Sequence, residues 1–520
     1  MGTKAEKKFF LVTLGANIQL HNNLMLTATK IKQAFQQAIK QTSNLPPAFA
    51  QILGVSEYLS GHNENLIGIE VISENKLKIQ LQEPSSTYPM LLTDLRTAIV
   101  YLEENSLSPF NLMGTGPFKI LSLTNDYVVI EKFSNYWKNH KALLNRIEFR
   151  CGISSADITT GFKTGDYDLA CGLLPEDLEA LQLDRRLRIN TIVTSRKYTG
   201  FVLFNSNSLF FSNKQVREIL YKITNIQALI WNVLGRFAQP AEGLLPPGIC
   251  GHDPGRRHQS LSQDKAMEKL EKLAYPTPIS LKAIISPSLR KRYHTLIQAL
   301  FEVWAKIGIE IQVKPLDLFL DTSEENQEID LIIEGQIAEY DDPKAFTSDL
   351  FHSKTGIFRN YYSSLELDDL IEQAHLETQH LKKEKLYKKI EDFLLEEFAL
   401  LPLFHEIDYR IASPNIKGLF LTSIPPYINY SEIGKTGDAP AAIRKKGGGI
   451  VYIPSDRDFH SLDPALVYSD LQGEVIPNIF ETLARQSEGG RIIPWLASEI
   501  KSEEGGKRFR FHLREYIYFH

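Results

Sequence analysis

The spacing of apolar positions changes character several times along this chain, and each change predicts an element. Past Leu26 the apolar residues Ile31, Phe35 and Ile39 recur at helical spacing, with Thr27 placed before them as an N-cap. Residues 68–71 and 76–81 read as paired strands across a polar turn, and a strand opening at 115–120 is answered antiparallel by 127–131. From 145 onward the pattern becomes strand, helix, strand, at 146–150, 156–163 and 167–170. It repeats at 281–285, 293–306 and 308–313, with one more strand at 328–333. Such alternation predicts parallel sheets flanked by helices. Two such units, joined by strands near 198–205 and 402–410, imply two lobes with a hinge. A ligand cleft is then expected at the carboxyl ends of the strands.

Two stretches compete for one place in that plan. Residues 8–21 and 507–520 read as two copies of one strand. Phe10 matches Phe509, Leu14 matches Leu513, Ile18 matches Ile517 and His21 matches His520. The C-terminal copy alternates more cleanly, at Phe509, Phe511 and Leu513, and follows 498–502 through a local hairpin. The N-terminal copy holds Gly15 and Asn17, which are poor strand residues. The C-terminal copy is therefore expected in the core position. Residues 1–20 are then an added edge strand or loosely held, and an unpaired edge strand would invite self-association.

Composition narrows the function classes. The chain has 520 residues, 43% apolar and 23% charged, enough for two or three domains with a large core. Its net charge of −5 lacks the basic excess of a nucleic-acid binder. No apolar run approaches the roughly 18 residues of a membrane helix. Residues 9–16, after Lys4, Lys7 and Lys8, faintly resemble a signal peptide, but 17–20 continue them as a strand and no lipobox cysteine follows. Three cysteines cannot close a disulfide framework. Cys151 and Cys171 each follow a strand of one predicted β-α-β unit, where a disulfide and two buried thiols are both open readings. Cys250 lies in a loop with no visible partner. The chain carries no Gly-x-Ser-x-Gly elbow, phosphate loop or His-Glu-x-x-His, so neither an enzyme nor a cofactor is expected. His252 and His258 lack metal-ligand spacing.

A set of motifs then carries a resemblance. They are Thr115-Gly116-Pro117-Phe118 with Asn135-Tyr136-Trp137, the 164–171 strand, 200–205 followed by 213–217, and Gly335 to Pro343. Near the C-terminus stand 447–452, Ser461-Leu462-Asp463-Pro464, Asn478 to Leu483 and Pro494 to Glu499. Together they resemble the extracytoplasmic solute-binding proteins of the oligopeptide/dipeptide-binding family, the family 5 substrate receptors of ABC importers. The order looks circularly permuted or like a tandem fragment: 447–520 followed by 22–437 restores the family's sequence of motifs. The resemblance implies a two-lobed α/β fold of the type II periplasmic-binding-protein kind, with mixed sheets, a small extra α+β subdomain and a ligand cleft between lobes. The expected parts are an extra segment 1–21 and a subdomain of 22–114 with 479–520. Lobe I takes 115–206 with 405–436 and 447–478, lobe II takes 207–404, and 437–446 is a linker.

The implied function is capture of oligopeptides outside the inner membrane and delivery to an importer permease. Membrane association would come only through that permease. The alternative is the same scaffold holding a sugar, a metal chelate or a peptide conjugate, or serving as a ligand-sensing regulatory domain. In the family, an Asp in the 335–343 loop holds the peptide α-ammonium, and here that position is Glu339. Asp341 and Asp342 compete for the role, with Tyr340 and Gln336 beside them. Gln336 stands where the family usually has tryptophan, and Ile333 where some relatives place an arginine for short-peptide carboxylates, which argues against strict dipeptide or tripeptide capture. Asn205 is a candidate for ligand backbone, Tyr468 and Asp470 are candidates where the family's first lobe meets ligand, and Tyr427 is a candidate to close the other side. Structural roles compete with several of these: Asp342 before Pro343 suits a helix cap, and Asp463-Pro464 suits a turn.

Overall fold

In the computed structural model the chain divides into two compact units, residues 1–192 with 409–520 and residues 193–408. The described residues are 9–510 apart from 15–16, 43–44, 84, 86–87, 103–111, 139–141, 276–277, 316–328, 339, 378, 437–448, 458, 460, 467–469, 488–490, 499–500 and 504–507. The expected linker therefore lies outside the described residues. Two long strands, Thr191–Phe204 and Leu400–Ala412, carry the chain from one unit to the other. The units divide at 193 and 408, rather than at the expected 207 and 404, and the expected small subdomain clusters with the rest of the first unit.

The first unit contains a five-stranded sheet in the order Ile69–Ser73, Lys76–Gln80, Phe9–Thr13, Arg508–Arg510, Lys501–Glu503. The C-terminal hairpin forms as expected, with Lys501–Glu503 at the edge, but both copies lie inside the sheet, Phe9–Thr13 beside Arg508–Arg510. Phe9–Thr13 pairs antiparallel with Lys76–Gln80 along its whole length. It meets Arg508–Arg510 in parallel at Leu11 and Arg510. The physical reason is connectivity. The N-terminal copy leads directly into the helix Ala28–Gln41, and Val12, Leu14, Ile18 and Leu20 are fully buried on the way. Thr27 caps that helix, its hydroxyl accepting from Lys30 N at 3.3 Å. Since Phe9–Thr13 is interior, self-association through it as a free edge loses its basis. Residues 511–520, the rest of the other copy, lie outside the described residues.

A four-stranded sheet runs Ile450–Pro454, Arg146–Arg150, Tyr127–Lys132, Phe118–Leu123. Here a second expectation changes. The strands at 146–150 and 169–170 are not direct parallel partners. Ile450–Pro454 lies beside Arg146–Arg150 in parallel, Ile450 opposite Arg146. On its other side Asp168 N donates to the Tyr452 carbonyl at 2.9 Å. A strand from the C-terminal segment thus separates the two, which local alternation cannot reveal. Cys151 and Cys171 follow the separated strands and remain buried free thiols. The Cys171 thiol donates to the Pro454 carbonyl at 3.0 Å. The core between these elements is continuous, with Ile147, Phe149, Val451, Ile453, Ile476 and Ile479 packed in one cluster.

The same unit is pinned by His21. Its Nδ1 accepts from Gly114 N and its Nε2 donates to the Gly116 carbonyl, each at 3.2 Å. Burial lowers its pKa to about 4. An unfolded histidine titrates near 6.5, so between those values only the unfolded chain binds the proton. The stability held by neutral His21 is complete above about pH 6.5 and is lost as pH falls towards 4. The expected loss is about 3 kcal/mol. Urea unfolding at neutral pH and near pH 4 checks it: His21→Gln should flatten the profile, and an unchanged pH slope in that variant would refute the assignment.

The second unit is built on a sheet in which Ile279–Ile285 lies between two parallel partners, Ile309–Val313 and Leu331–Ile337. The helix His294–Ala305 makes the crossover, as the alternation predicts. Its Trp304 is fully buried and donates from Nε1 to the Thr224 hydroxyl at 2.9 Å. Leu331–Ile337 also runs antiparallel to Thr191–Phe204, so the last parallel strand rests directly on a strand that leaves the unit.

Candidate functional site

The loop expected to meet ligand grows out of this pairing. Gly200 stands opposite Gly335, and Tyr198 opposite Ile337. Both glycines are required by close approach. A Cβ on Gly335 would meet the Tyr198 hydroxyl at 1.8 Å, and one on Gly200 would meet the Phe404 ring at 2.6 Å. The rings of Tyr198 and Phe404 are 5.8 Å apart, and Tyr293 packs on Phe404 at 4.5 Å. These rings lie on the Gly200–Gly335 face of the strand pair, whereas Gln336, in the tryptophan position, is paired with Thr199 on the other face. Gln336 itself donates to the Ile337 carbonyl at 3.1 Å.

The loop is held at both ends. Ala338 N donates to the Lys197 carbonyl at 2.8 Å. Tyr340 is buried and its hydroxyl donates to Asp349 at 2.7 Å, which makes it a structural anchor. Asp342 caps the turn Pro343–Phe346, accepting from Lys344 N at 2.9 Å, with Lys383 Nζ at 3.4 Å. The capping reading of Asp342 is the one the geometry supports. Asp341 is partly buried. Burial raises its carboxyl, opposed by the Lys197 ammonium, and the Asp342 charge raises it further. Burial lowers Lys197 despite Asp341, and Lys197 Nζ donates to the Pro247 carbonyl at 2.6 Å. Glu339 lies outside the described residues.

Asn205 is held by the second unit's own backbone. It is buried, its amide donates to the Ile329 carbonyl at 2.6 Å, and its oxygen accepts from Asn207 N at 3.0 Å. The unit's own backbone uses both ends of the amide, so Asn205 is a pin for the strand end. In the first unit Tyr427 is buried, with its ring beside Gly473. Asp463 accepts from Ala465 N at 2.9 Å and forms the expected turn. Asp470 opens the helix Asp470–Val475, and Tyr468 lies outside the described residues.

Sequence reasoning missed a buried charge network on the crossing strands of the second unit. Arg196 contacts Asp408 at 2.7 Å and Glu406 at 3.7 Å. Glu406 also meets Arg292 at 2.9 Å and accepts from the Tyr293 hydroxyl at 2.7 Å. In the first unit Arg410 continues the series onto Glu474 at 2.9 Å. The signal was available: Glu406, Asp408 and Arg410 repeat with period two on a strand whose other positions are mostly apolar. Removing one member of such a buried set leaves an uncompensated charge, which is why these positions hold their charges in pairs.

The fold is shared with solved peptide receptors. Clavulanic acid biosynthesis oligopeptide binding protein 2 superposes with a TM-score of 0.71 at 17% identity, covering 84% of this chain and 85% of that one. The murein tripeptide binding protein MppA of Escherichia coli gives 0.67 at 19% identity, with 83% and 88% covered. These likenesses show a two-lobed α/β fold with mixed sheets. In sequence, the oligopeptide-binding protein OppA of Bacillus subtilis (strain 168) is 24% identical over 456 residues, 81% of each chain. Glutathione-binding protein GsiB of Escherichia coli is 25% identical over 376 residues, 69% of this chain and 72% of that one. Residues 3–357 match the bacterial extracellular solute-binding proteins, family 5, and the chain belongs to that family.

Proposed function

We propose that this chain captures oligopeptides outside the inner membrane and delivers them to an ABC-type importer permease. Family membership carries the reading, and the names of its relatives support it. The solved OppA of Haemophilus influenzae, with the same fold, is a complex with the peptide RPPGFSPFR. Among the described residues no helix is long and apolar enough to cross a membrane, in keeping with a receptor that meets the membrane through its permease.

The chemistry of capture rests on the 335–343 loop. A peptide presents a positive amine and an extended backbone, and a carboxylate partly shielded from water holds the amine by charge-assisted hydrogen bonds. Glu339 is the proposed anchor. Asp341 is its competitor, because its carboxyl is already shielded and faces the opposing charge of Lys197. Asp342 and Tyr340 hold the loop. Tyr468 and Asp470 are kept as proposed contacts from the first unit.

Glu339→Gln is expected to weaken peptide binding by about 2–5 kcal/mol, the effect of removing one partner of a shielded charge pair. Calorimetric titration with one peptide in free-amine and N-acetylated forms checks it. Acetylation should cost the native chain a similar amount and cost the variant little. Equal affinity of both forms for the native chain would remove Glu339 as amine anchor.

A further inference from the structure

A pocket of about 700 Å³ lies wholly within the second unit, away from the 335–343 loop in sequence. One side is the helix Ile226–Leu234, where Gln227 and Trp231 are four residues apart and share a face. The other side is the strand Ala238–Pro240, whose Gln239 is the cross-strand partner of His405. Since paired residues project to the same side of a sheet, both reach the same pocket. Asp253 belongs to the loop that completes the rim.

Three observations there point to one ligand chemistry. Trp231 is 69% exposed on a helix whose other large apolar residues Ile226, Leu229, Ile230 and Leu234 are buried, so a large indole face is left to the pocket and solvent. Glu242 has one oxygen accepting from Gln227 Nε2 at 2.7 Å. Its other oxygen is buried and has no hydrogen-bond partner among the described residues. A buried acceptor left so is costly and calls for an explanation. His252 donates from Nδ1 to the Leu245 carbonyl at 2.7 Å, so in the neutral ring its other nitrogen is an acceptor.

Of the nearby positive charges Arg257 lines the pocket itself, one charge against the carboxylates of Glu242 and Asp253. Arg256 pairs with Glu391 at 2.9 Å and Asp392 at 2.6 Å. Arg257 donates to the backbone carbonyls of Pro254 and Arg256 at 3.0 and 2.6 Å. The pocket is therefore rich in acceptors, carries the carboxylates of Glu242 and Asp253, and ends in an exposed indole. A neutral sugar would use the indole but would leave a carboxylate charge unmatched. A cation satisfies both, through the ring face and the free oxygen.

We propose that the second unit carries a separate site for a small organic cation, an alkylammonium or guanidinium group, held between the indole of Trp231 and the carboxylate of Glu242. The site is independent of peptide capture by the 335–343 loop. Agmatine, with a guanidinium at one end and an ammonium at the other, is the probe, and maltose is the neutral competitor. Titrating the full chain with agmatine should give a saturable change in tryptophan emission that Trp231→Phe abolishes. By calorimetry, Glu242→Gln should weaken agmatine roughly 10- to 100-fold, the scale of one charge-assisted hydrogen bond. The same variant should bind trialanine as the native chain does, which separates this site from the peptide site. The inference is overturned if agmatine gives no saturable signal, if Glu242→Gln binds it as tightly as the native chain, or if maltose binds in its place.

Discussion

Glu481→Ala is expected to destabilise the first unit by about 3–5 kcal/mol, the scale of a broken buried charge site. Glu481 is fully buried in the C-terminal segment and accepts four side-chain hydrogen bonds. One oxygen accepts from the Tyr136 hydroxyl at 2.8 Å and Trp495 Nε1 at 2.7 Å. The other accepts from Trp137 Nε1 at 2.7 Å and the Thr115 hydroxyl at 2.9 Å. Its backbone carbonyl also accepts from Ile99 N at 3.0 Å. Burial raises the carboxyl, and the four donors oppose that shift. The indoles of Trp137 and Trp495 meet edge to face at 6.2 Å, and Arg485 lies over Trp495 at 4.5 Å. Alanine would leave four donors without acceptors, the Thr115 and Tyr136 hydroxyls buried and the two indole N–H groups partly so, each buried donor costing about 1–3 kcal/mol less whatever water restores. Equilibrium urea unfolding reads the change. A midpoint within error of the native chain would mean that this carboxylate does not join the segments.

Removing residues 1–20 is expected to prevent the first unit from folding. Val12, Leu14, Ile18 and Leu20 are at most 1% exposed. Burying such side chains contributes roughly 1.5–3 kcal/mol each. Their loss, with the interior strand of a five-stranded sheet, approaches the roughly 5–15 kcal/mol that holds a whole domain together. Circular dichroism and a thermal melt of the truncated chain decide it. A cooperative melt near that of the full chain would show that 508–510 and the residues after it replace the missing strand.

The two predictions mark where the sequence was readable and where it was not. Periodicity found the capped helix after Thr27, the crossing strands and the second parallel unit, because each is a local pattern. It could not choose between the copies at 8–21 and 507–520, since Phe10 and Phe509 or Leu14 and Leu513 satisfy the same alternation. The choice depends on the short connection to the helix Ala28–Gln41 and on the burial of Ile18 and Leu20 along it, which are tertiary facts. The strand Ile450–Pro454 was hidden for the same reason: nothing in 146–170 shows that a segment some three hundred residues later lies between its strands. The motifs that carried the family resemblance also acquired a physical meaning. Thr115, Tyr136, Trp137, Glu481 and Trp495 came from four separate motifs, and they meet at one carboxylate. They record how the first unit is assembled.

That distinction also explains the site assignments. Asn205 and Tyr340 were drawn in by their place in motifs, and the structure spends their polar atoms on their own backbone or on Asp349. The charged series Glu406, Asp408 and Arg410 was passed over because a strand rich in Leu, Phe and Ile reads as core. Its charges are paired inside the protein, so they set the geometry of the crossing strands.

Native mass spectrometry of the full chain, incubated with a random peptide pool, a set of sugars and a set of metal chelates, tests the central claim most directly. Peptide capture predicts retained masses that belong to peptides, displaced by excess free-amine peptide and poorly by its acetylated form. Retention of a sugar or a chelate with no peptide bound would contradict it.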